Sequence, residues 1–123
     1  CGRCTSVCPA NIKGKLLSQR KIMMDTRGGL EAVGKNGLED GKSLIDTYIS
    51  REEIWACTSC NACTQACPIN IDPLAIITEL RRYAVMEESQ SPASINTMLG
   101  NIENNGAPWK YSPADRFNWA KES

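Results

Sequence analysis

Histidine is absent from this chain of 123 residues, and large aromatic side chains are scarce. The chain has three Trp, three Tyr and one Phe, and its hydrophobic fraction of 41% lies below the roughly 45–50% of an ordinary globular domain. Because histidine is missing, every metal site with an imidazole ligand is excluded. With so little apolar bulk, the chain needs a source of stability besides a hydrophobic core.

An excess of charge of one sign is also missing, since 14 Lys and Arg balance 14 Asp and Glu. This balance gives no electrostatic reason to expect binding to nucleic acid or to an anionic membrane surface. No apolar run is longer than four residues, whereas a membrane-spanning helix needs about 18 or more. We therefore expect no nucleic-acid partner and no membrane span within these residues.

Cysteine, by contrast, occurs seven times and falls into two motifs. The second motif has the spacing C-x-x-C-x-x-C-x-x-x-C-P and comprises Cys57, Cys60, Cys63, Cys67 and Pro68. The first motif has the same spacing without the leading cysteine and comprises Cys1, Cys4, Cys8 and Pro9. A cysteine three positions before Cys1 would complete the first motif. We therefore expect this segment to be an excerpt of a longer chain that begins upstream of Cys1.

Cysteine runs of this spacing are typical of proteins that hold two [4Fe–4S] clusters, in which the fourth cysteine of a run binds the other cluster. The sequence therefore predicts that one cluster is bound by the set Cys8, Cys57, Cys60 and Cys63. The other cluster is predicted to be bound by Cys1, Cys4, Cys67 and the missing upstream cysteine. This crossed pairing would tie distant segments together and compensate for a small hydrophobic core.

Other uses of the cysteines stay open at this point. The C-x-x-C pairs would suit a structural zinc site, and disulfides or unligated thiols are further alternatives. If Cys1 begins the mature chain, a cluster with three cysteines would leave one iron open for catalysis as a Lewis acid. A pair of clusters with a purely structural role is another alternative.

Helix start signals recur along the chain, and no segment alternates with period two, which predicts an all-α fold. Ser18 is predicted to cap a helix from Gln19 to about Asp25. A mobile glycine-rich loop is predicted to follow, with a short helical piece near residues 30–33, and a second helix is predicted from about Lys42. The loop prediction depends on Gly28, Gly29, Gly34, Gly37 and Gly41. Capping signals predict four later helices, which begin after Ser50, Asp72, Ser91 and Ser112 and end near Cys57, Glu88, Asn105 and Trp119.

Four of the seven aromatic residues lie close together near the end of the chain, namely Trp109, Tyr111, Phe117 and Trp119. Aromatic side chains are enriched at protein interfaces, so these residues could dock a partner. They could equally fold back and cover the clusters. The sequence leaves both interpretations open.

The motifs resemble the α-helical ferredoxin domain, also described as a 4Fe–4S dicluster domain. The segments that carry the resemblance are CGRCTSVCPA at residues 1–10, GKLLSQRK at 14–21, WACTSCNAC at 55–63 and ELRRY at 79–83. Residues 105–109 are also similar to a Gly-x-Pro-Trp element that follows this domain. The domain occurs in the C-like and D-like subunits of heterodisulfide reductase and in the iron–sulfur subunits of anaerobic glycerol-3-phosphate dehydrogenase and glycolate oxidase. The resemblance covers the whole chain, so we expect residues 1–123 to form one such domain, organised around two [4Fe–4S] clusters.

The resemblance implies electron transfer through two [4Fe–4S] clusters within a larger oxidoreductase, either heterodisulfide reductase-like or quinone-linked. No catalytic site of its own is expected in this segment. The implied partner is a redox protein: a flavoprotein, a subunit with cysteine-rich CCG domains, or a membrane subunit that carries quinone or haem. Free cysteines suit a reducing compartment. We therefore expect the cytoplasm or the cytoplasmic face of a membrane, with anchoring through the region upstream of Cys1.

Overall fold

The computed structural model describes residues 1–121. Within that range the chain forms eight α-helices and no β-strand, and an isolated bridge pairs Ile45 with Ile49. The helices are α1 (Arg3–Ser6), α2 (Pro9–Ile12), α3 (Gln19–Asn36), α4 (Arg51–Ala56), α5 (Ala62–Ala66), α6 (Pro73–Met86), α7 (Ala93–Asn105) and α8 (Asn118–Lys121). Short 3₁₀ segments at Leu38–Asp40 and Pro113–Phe117 lie between them. The prediction of an all-α fold is confirmed.

Residue contacts divide the chain into two compact units, of which the first is Cys1–Tyr83 and the second begins at Ala84. Both cysteine motifs lie in the first unit. Helix α6 begins in the first unit and ends in the second. The prediction of a single domain over residues 1–123 stays a prediction. In the described part of the chain, none of the helices has both the length and the apolar character required to cross a membrane.

The core of the first unit is built from aliphatic side chains of the segments around the cysteine motifs. Ile22 of α3, Ile54 of α4 and Ile77 of α6 are completely buried. Leu17, Ile45, Ile49 and Leu80 are buried as well. Burying an aliphatic side chain of this size stabilises a fold by about 1.5–3 kcal/mol. Helices α3, α4 and α6 are therefore held in place by a small aliphatic core, and no aromatic side chain of the described residues is buried.

The glycine-rich loop predicted over residues 28–41 is wrong for residues 28–36, because α3 continues through this segment to Asn36. The predicted start is correct, since the Ser18 hydroxyl accepts a hydrogen bond from the Lys21 amide. Ion pairs along the helix, Lys21 with Asp25 at 2.7 Å and Arg27 with Glu31 at 2.8 Å, stabilise it. Together with the burial of Ile22, these interactions outweigh the helix penalty of about 1 kcal/mol for each glycine.

Gly29 explains part of the glycine content of α3. A Cβ atom at this position would lie 3.2 Å from Cδ1 of Leu44. The missing side chain therefore lets the segment that follows the helix pack closely against it. The actual loop is confined to residues 37–43, where Gly37 and Gly41 have φ values of 76° and 64°.

The second helix predicted from Lys42 is also wrong, because residues 44–48 form a kinked turn. Ile45 has an extended backbone and Asp46 has a φ of 73°, in the left-handed region. The Ile49 amide donates to the Leu44 carbonyl at 3.0 Å, and the Asp46 amide donates to the Ile49 carbonyl at 2.8 Å. Ile45 and Ile49 are both buried by this turn. Their four-residue spacing suggested a helix, but tertiary packing buries them through a turn instead.

Helix α4 begins with the predicted capping box. The Ser50 hydroxyl accepts from the Glu53 amide, and the Glu53 carboxylate accepts from the Ser50 amide at 2.8 Å. Glu53 is buried and also pairs with Lys21 of α3 at 2.8 Å. Glu53, part of the capping box of α4, therefore links the start of α4 to the start of α3.

This contact perturbs both ionisable groups. Burial alone would raise the pKa of Glu53, but hydrogen bonds from Lys21 and Ser50 outweigh it, so the pKa lies below its usual value. Burial alone would lower the pKa of Lys21, but its hydrogen bonds and ion pairs with Asp25 and Glu53 raise it above its usual value. Each partner therefore favours the charged form of the other.

The later helices follow the sequence predictions. The Asp72 carboxylate accepts from the Ala75 amide at 3.1 Å, so Asp72 caps α6 with Pro73 in the first position. Helix α7 ends at Asn105, before Gly106 with its left-handed φ of 65°. The last predicted helix is a 3₁₀ turn, Pro113–Phe117, that continues into α8.

The four aromatic side chains of the second unit are exposed. They are Trp109, Tyr111, Phe117 and Trp119, and their exposed fractions range from 61% to 77%. Their surfaces are therefore available to a partner, as one of the two sequence interpretations requires.

Candidate metal centre

The two cysteine motifs adopt the same local structure. Helix α1 is preceded by Gly2, with a φ of 99°, and helix α5 is preceded by Asn61, with a φ of 64°. Left-handed values are accessible to glycine and, among other residues, most readily to Asn, Asp and His. In each motif this residue follows a cysteine and turns the chain into a short helix. The second and third cysteines of the complete pattern therefore stand at the two sides of one tight turn.

Each motif also ends in the same way. The Cys8 amide donates to the Thr5 carbonyl, and the Cys67 amide donates to the Thr64 carbonyl, both at 3.2 Å. Both cysteines have an extended backbone, with ψ values of 118° and 119°. The chain then leaves the loop through the proline that follows each cysteine. The backbone is thus extended at the fourth cysteine in both motifs.

The repeat extends beyond the cysteines to the helices that follow. The Thr5 hydroxyl lies 2.9 Å from the Ser18 hydroxyl, and the Thr64 hydroxyl donates to the Asp72 carboxylate at 3.1 Å. Ser18 and Asp72 are the capping residues of the long helices α3 and α6. The sequence indicates a repeat only in the metal site. The structure shows that the junction with the following helix is repeated as well.

The loops of the two cysteine motifs meet because α1 of the first motif packs against α5 of the second. Helix α1 also packs against α3. Four cysteines line one pocket, namely Cys8, Cys57, Cys60 and Cys63. Three of them come from the second loop and one from the first. The structure thus brings together the four residues that the crossed pairing assigns to one cluster.

The remaining cysteines lie outside this pocket. Cys4 is in α1, and Cys67 ends α5, the helix against which α1 packs. The amino group of Cys1 contributes to the electrostatic environment of the Cys67 thiol. These three cysteines therefore lie on neighbouring elements. All seven cysteines are free thiols, and among residues 1–121 no three Cys, Asp or Glu side chains are placed to hold a single metal ion.

Hydrogen bonds from the backbone stabilise two of the thiols as thiolates. The pKa of Cys67 is lowered by hydrogen bonds from the amides of Ile69 and Ile71. The pKa of Cys60 is lowered by the amide of Ala62 and by the hydroxyl of Thr58. Successive amides directed at sulfur form an environment suited to an anionic ligand, as in many iron–sulfur sites.

Cys63 has a different environment. Burial raises the pKa of its thiol more than the hydrogen bond with Thr64 lowers it. Cys8 is buried too, and its sulfur accepts a hydrogen bond from Nε2 of Gln19 at 3.2 Å. Two of the cysteines that line the pocket, Cys8 and Cys63, are therefore shielded from water by burial. Cys60 lies at the surface.

Arg81 of α6 fixes the start of the second loop. Its guanidinium donates to the carbonyls of Ile54, at 2.9 and 3.0 Å, and Cys57, and to the Ser59 hydroxyl at 3.2 Å. It also lies 5.2 Å from the centre of the Trp55 ring. Ser59 has a φ of 58°, and its amide donates to the Cys57 sulfur at 3.4 Å. Arg81 thus holds both the end of α4 and the loop that carries Cys57.

Sequence reasoning assigned no role to Arg81 or Gln19. Arg81 follows the buried Ile77 by four residues, so a cation on the inner face of α6 was a detectable signal. Gln19 follows a capping serine directly, a position that gives no indication of burial.

The fold and the paired loops define an all-helical protein that holds two [4Fe–4S] clusters. The donor set fits these cofactors, because seven cysteines without disulfides supply seven of the eight thiolates that two such clusters take, and backbone amides hydrogen-bond to the sulfurs of Cys60 and Cys67. A family model described as the 4Fe-4S dicluster domain matches residues 1–71, more than half of the chain, so the chain belongs to this family.

Curated relatives extend the similarity. The chain is 31% identical to a probable iron-sulfur-binding oxidoreductase, FadF, of Bacillus subtilis, over 100% of this chain and 22% of the relative. It is 31% identical to the EtfAB:quinone oxidoreductase of Syntrophomonas wolfei, over 99% of this chain and 21% of the relative. It is 34% identical to the C subunit of a ferredoxin/F(420)H(2)-dependent CoB-CoM heterodisulfide reductase of Methanosarcina acetivorans, over 75% of this chain and 47% of the relative. No solved structure matches the chain.

The chain thus spans about a fifth of the length of the first two relatives. The resemblance predicted from the sequence is confirmed. The chain is an iron–sulfur electron-transfer domain of the kind found in oxidoreductases.

Proposed function

We propose that electrons cross this domain one at a time, between a donor and an acceptor of a larger oxidoreductase. The observation that carries the proposal is the pocket in which Cys8 of the first motif joins Cys57, Cys60 and Cys63 of the second. Each [4Fe–4S] cluster supplies a reversible one-electron centre when bound. Contact between the two loops would keep the two clusters close together, so that electrons could pass from one to the other.

The ligands are proposed to follow the crossed pairing. Cys8, Cys57, Cys60 and Cys63 hold one cluster, and Cys1, Cys4 and Cys67 hold the other. All seven cysteines of the chain are then used, so the fourth ligand of the second cluster comes from outside them. The packing of α1 against α5 supports this assignment, since it brings the first loop beside the end of the second.

The residues around the sulfurs have separate roles. Arg81 holds the loop that presents Cys57, and the amides after Cys60 and Cys67 stabilise thiolate ligands. The buried positions of Cys8 and Cys63 limit the access of water. Full thiolate ligation leaves no iron open to a substrate, so the domain binds and orients its cofactors while its partners perform the chemistry.

The donor and acceptor are proposed to be a flavoprotein, a CCG-domain subunit, or a membrane subunit that carries quinone or haem. The name of the Syntrophomonas relative, which includes a quinone, favours a partner at a membrane. The exposed aromatic side chains of the second unit provide a surface for such a partner. We place the domain in the cytoplasm or at the cytoplasmic face of a membrane, because free thiols suit a reducing compartment.

Anaerobic purification of the full-length protein tests the relay. We expect two clusters per domain by iron and sulfide analysis, and two reversible one-electron couples in a potentiometric titration followed by electron paramagnetic resonance (EPR). The reduced clusters should give interacting signals. Zinc in place of iron, or clusters that cannot be reduced and reoxidised, would rule out the proposal. A [3Fe–4S] signal in the native protein would instead support an open iron site.

A further inference from the structure

Gln19 is a buried amide whose polar atoms are unequally satisfied. Only 3% of the residue is exposed, and its Nε2 donates to the Cys8 sulfur at 3.2 Å. Its Oε1 is buried and has no hydrogen-bond partner. A buried polar atom without a partner destabilises a protein. The residue therefore lowers the stability of the core at the same place where it supplies a donor to a cluster ligand.

The other half of the repeat lacks this donor. Gln19 is the residue after the cap of α3, and the residue after the cap of α6 is Pro73. Proline has no side-chain donor and no amide proton. The sulfur of Cys67, the counterpart of Cys8, accepts from the backbone amide of Ile71 at 3.3 Å. The two fourth-position cysteines thus receive different donors, a side-chain amide in one half and the backbone in the other.

Hydrogen bonds to the sulfurs are among the factors that set the reduction potential of an iron–sulfur cluster. A reduced cluster carries one more negative charge than the oxidised cluster, so a donor to a ligand sulfur stabilises the reduced state more. We propose that Gln19 is a positioning residue that acts through Cys8 and raises the reduction potential of the cluster bound by Cys8, Cys57, Cys60 and Cys63. The proposal rests on the electron-transfer function proposed above. It assigns to one cluster a hydrogen bond that a single side chain supplies.

The test is the Gln19→Leu variant of the full-length protein, which keeps the side-chain volume and removes the donor. Both midpoint potentials are measured by an EPR-monitored titration, with Cys60→Ser used to identify the signal of the Gln19 cluster. We expect the midpoint of that cluster to fall by on the order of tenfold in its reduction equilibrium, about 59 mV for one electron. The midpoint of the other cluster should not change. The control is Gln90→Leu, an exposed glutamine outside both cysteine motifs, which should shift neither midpoint.

Unchanged midpoints in a fully loaded Gln19→Leu protein, or equal shifts of both clusters, would overturn the proposal. If this variant loses iron, the same titration of Gln19→Met decides the matter, because methionine fills a similar space and has no hydrogen-bond donor in its side chain. A selective fall supports the role of Gln19, and an unchanged midpoint overturns it. A wild-type protein with two reversible couples but no selective shift would leave the relay intact and reject Gln19 alone. A wild-type protein without two reversible couples would overturn the relay, and this proposal with it.

Discussion

Arg81 connects helix α6 to backbone carbonyls that are far away in sequence. Its partners Ile54 and Cys57 precede it by 27 and 24 residues. These carbonyls lie at the end of α4 and at the first cysteine of the loop, where no helical amide satisfies them. A guanidinium can bridge them because its donors are arranged in a fixed fork.

Replacement of Arg81 by alanine should therefore destabilise the loop that carries Cys57. Hydrogen bonds that involve a charged group contribute about 1.5–3 kcal/mol each, and the loss of one alone corresponds to about tenfold, so we expect iron to be lost to a chelator at least about tenfold faster. The loss is followed anaerobically through the absorbance near 400 nm. The matched control is Arg82→Ala, since Arg82 is its exposed neighbour and pairs only with Glu79 at the surface in the described structure. Equal rates of iron loss in the two variants would contradict this role.

Residue roles differ in how far the sequence predicts them. The cysteines could be assigned because ligand spacing is a local property: a short loop must present thiols at fixed intervals to one cluster. The roles of Arg81 and Gln19 depend on partners 11 to 27 residues away. Neither partner is specified by a local pattern, so only the fold reveals these contacts.

At the scale of elements, helix α3 shows how tertiary packing overrides a composition signal. Three of its 18 residues are Gly28, Gly29 and Gly34. Glycine content predicts a loop, yet the cap at Ser18, the ion pairs and the burial of Ile22 keep the segment helical. Conversely, Ile45 and Ile49 have helical spacing but lie in a turn. Caps such as Ser50 and Asp72 were predictive because they satisfy helix amides within a few residues.

Alanine substitutions in α3 distinguish a helix from a mobile loop. Gly28→Ala and Gly34→Ala place a Cβ in open space, so each should stabilise the protein by about 0.5–1 kcal/mol. Gly29→Ala should gain less, because its Cβ would lie 3.2 Å from Leu44. Apparent thermal midpoints from circular dichroism at a fixed scan rate provide the measurement. If all three variants left the midpoint unchanged, the segment would not be helical in solution.

The capping box of α4 should make stability depend on pH through Glu53. Its pKa is lowered in the fold, so its stabilising contribution is present above the unfolded value of about 4.3 and is lost as the pH falls through the folded value. The pKa of Lys21 is raised, so its contribution is lost only in alkali, as the pH rises through the folded value. Between about pH 5 and 9 this ion pair should therefore contribute a constant amount.

Glu53→Gln should thus be less stable than the wild type at pH 7 by about 1 kcal/mol, a modest value because solvent screens the Lys21 side chain, which is 47% exposed. The deficit should shrink as the pH falls below about 4.3, where the wild type begins to lose the same contact. Far-ultraviolet circular dichroism after rapid pH jumps measures unfolding before acid destroys the clusters. Glu31→Gln, which removes an exposed pair with Arg27, serves as the control and should show little deficit at any pH. A deficit for Glu53→Gln that grows in acid would contradict the expected direction of the pH dependence.

At the scale of the whole molecule, the first unit consists of two similar loop and helix segments. Each has a left-handed residue after a cysteine, a threonine bound to the next helix cap, and a long helix that contributes to the core. The sequence shows the repeated cysteines but not the repeated junctions. The capping partners lie 13 and 8 residues after their threonines, and this difference in loop length hides the repeat.

Two features of this arrangement stabilise the fold of a chain that has few aromatic residues. The aliphatic core holds α3, α4 and α6, and the clusters, by the crossed pairing, would cross-link the loops at their ends. Binding of a cofactor to the folded state alone stabilises that state through mass action. We therefore regard the clusters as structural supports as well as electron carriers.

The crossed pairing is tested most directly by the EPR spectrum of the reduced, full-length Cys8→Ser protein, compared with Cys4→Ser and Cys60→Ser. We expect Cys8→Ser and Cys60→Ser to alter the same cluster signal, and Cys4→Ser to alter the other. The result that would contradict it is a Cys8→Ser protein that changes the same signal as Cys4→Ser and leaves the Cys60 signal intact. In that case each motif would bind its own cluster.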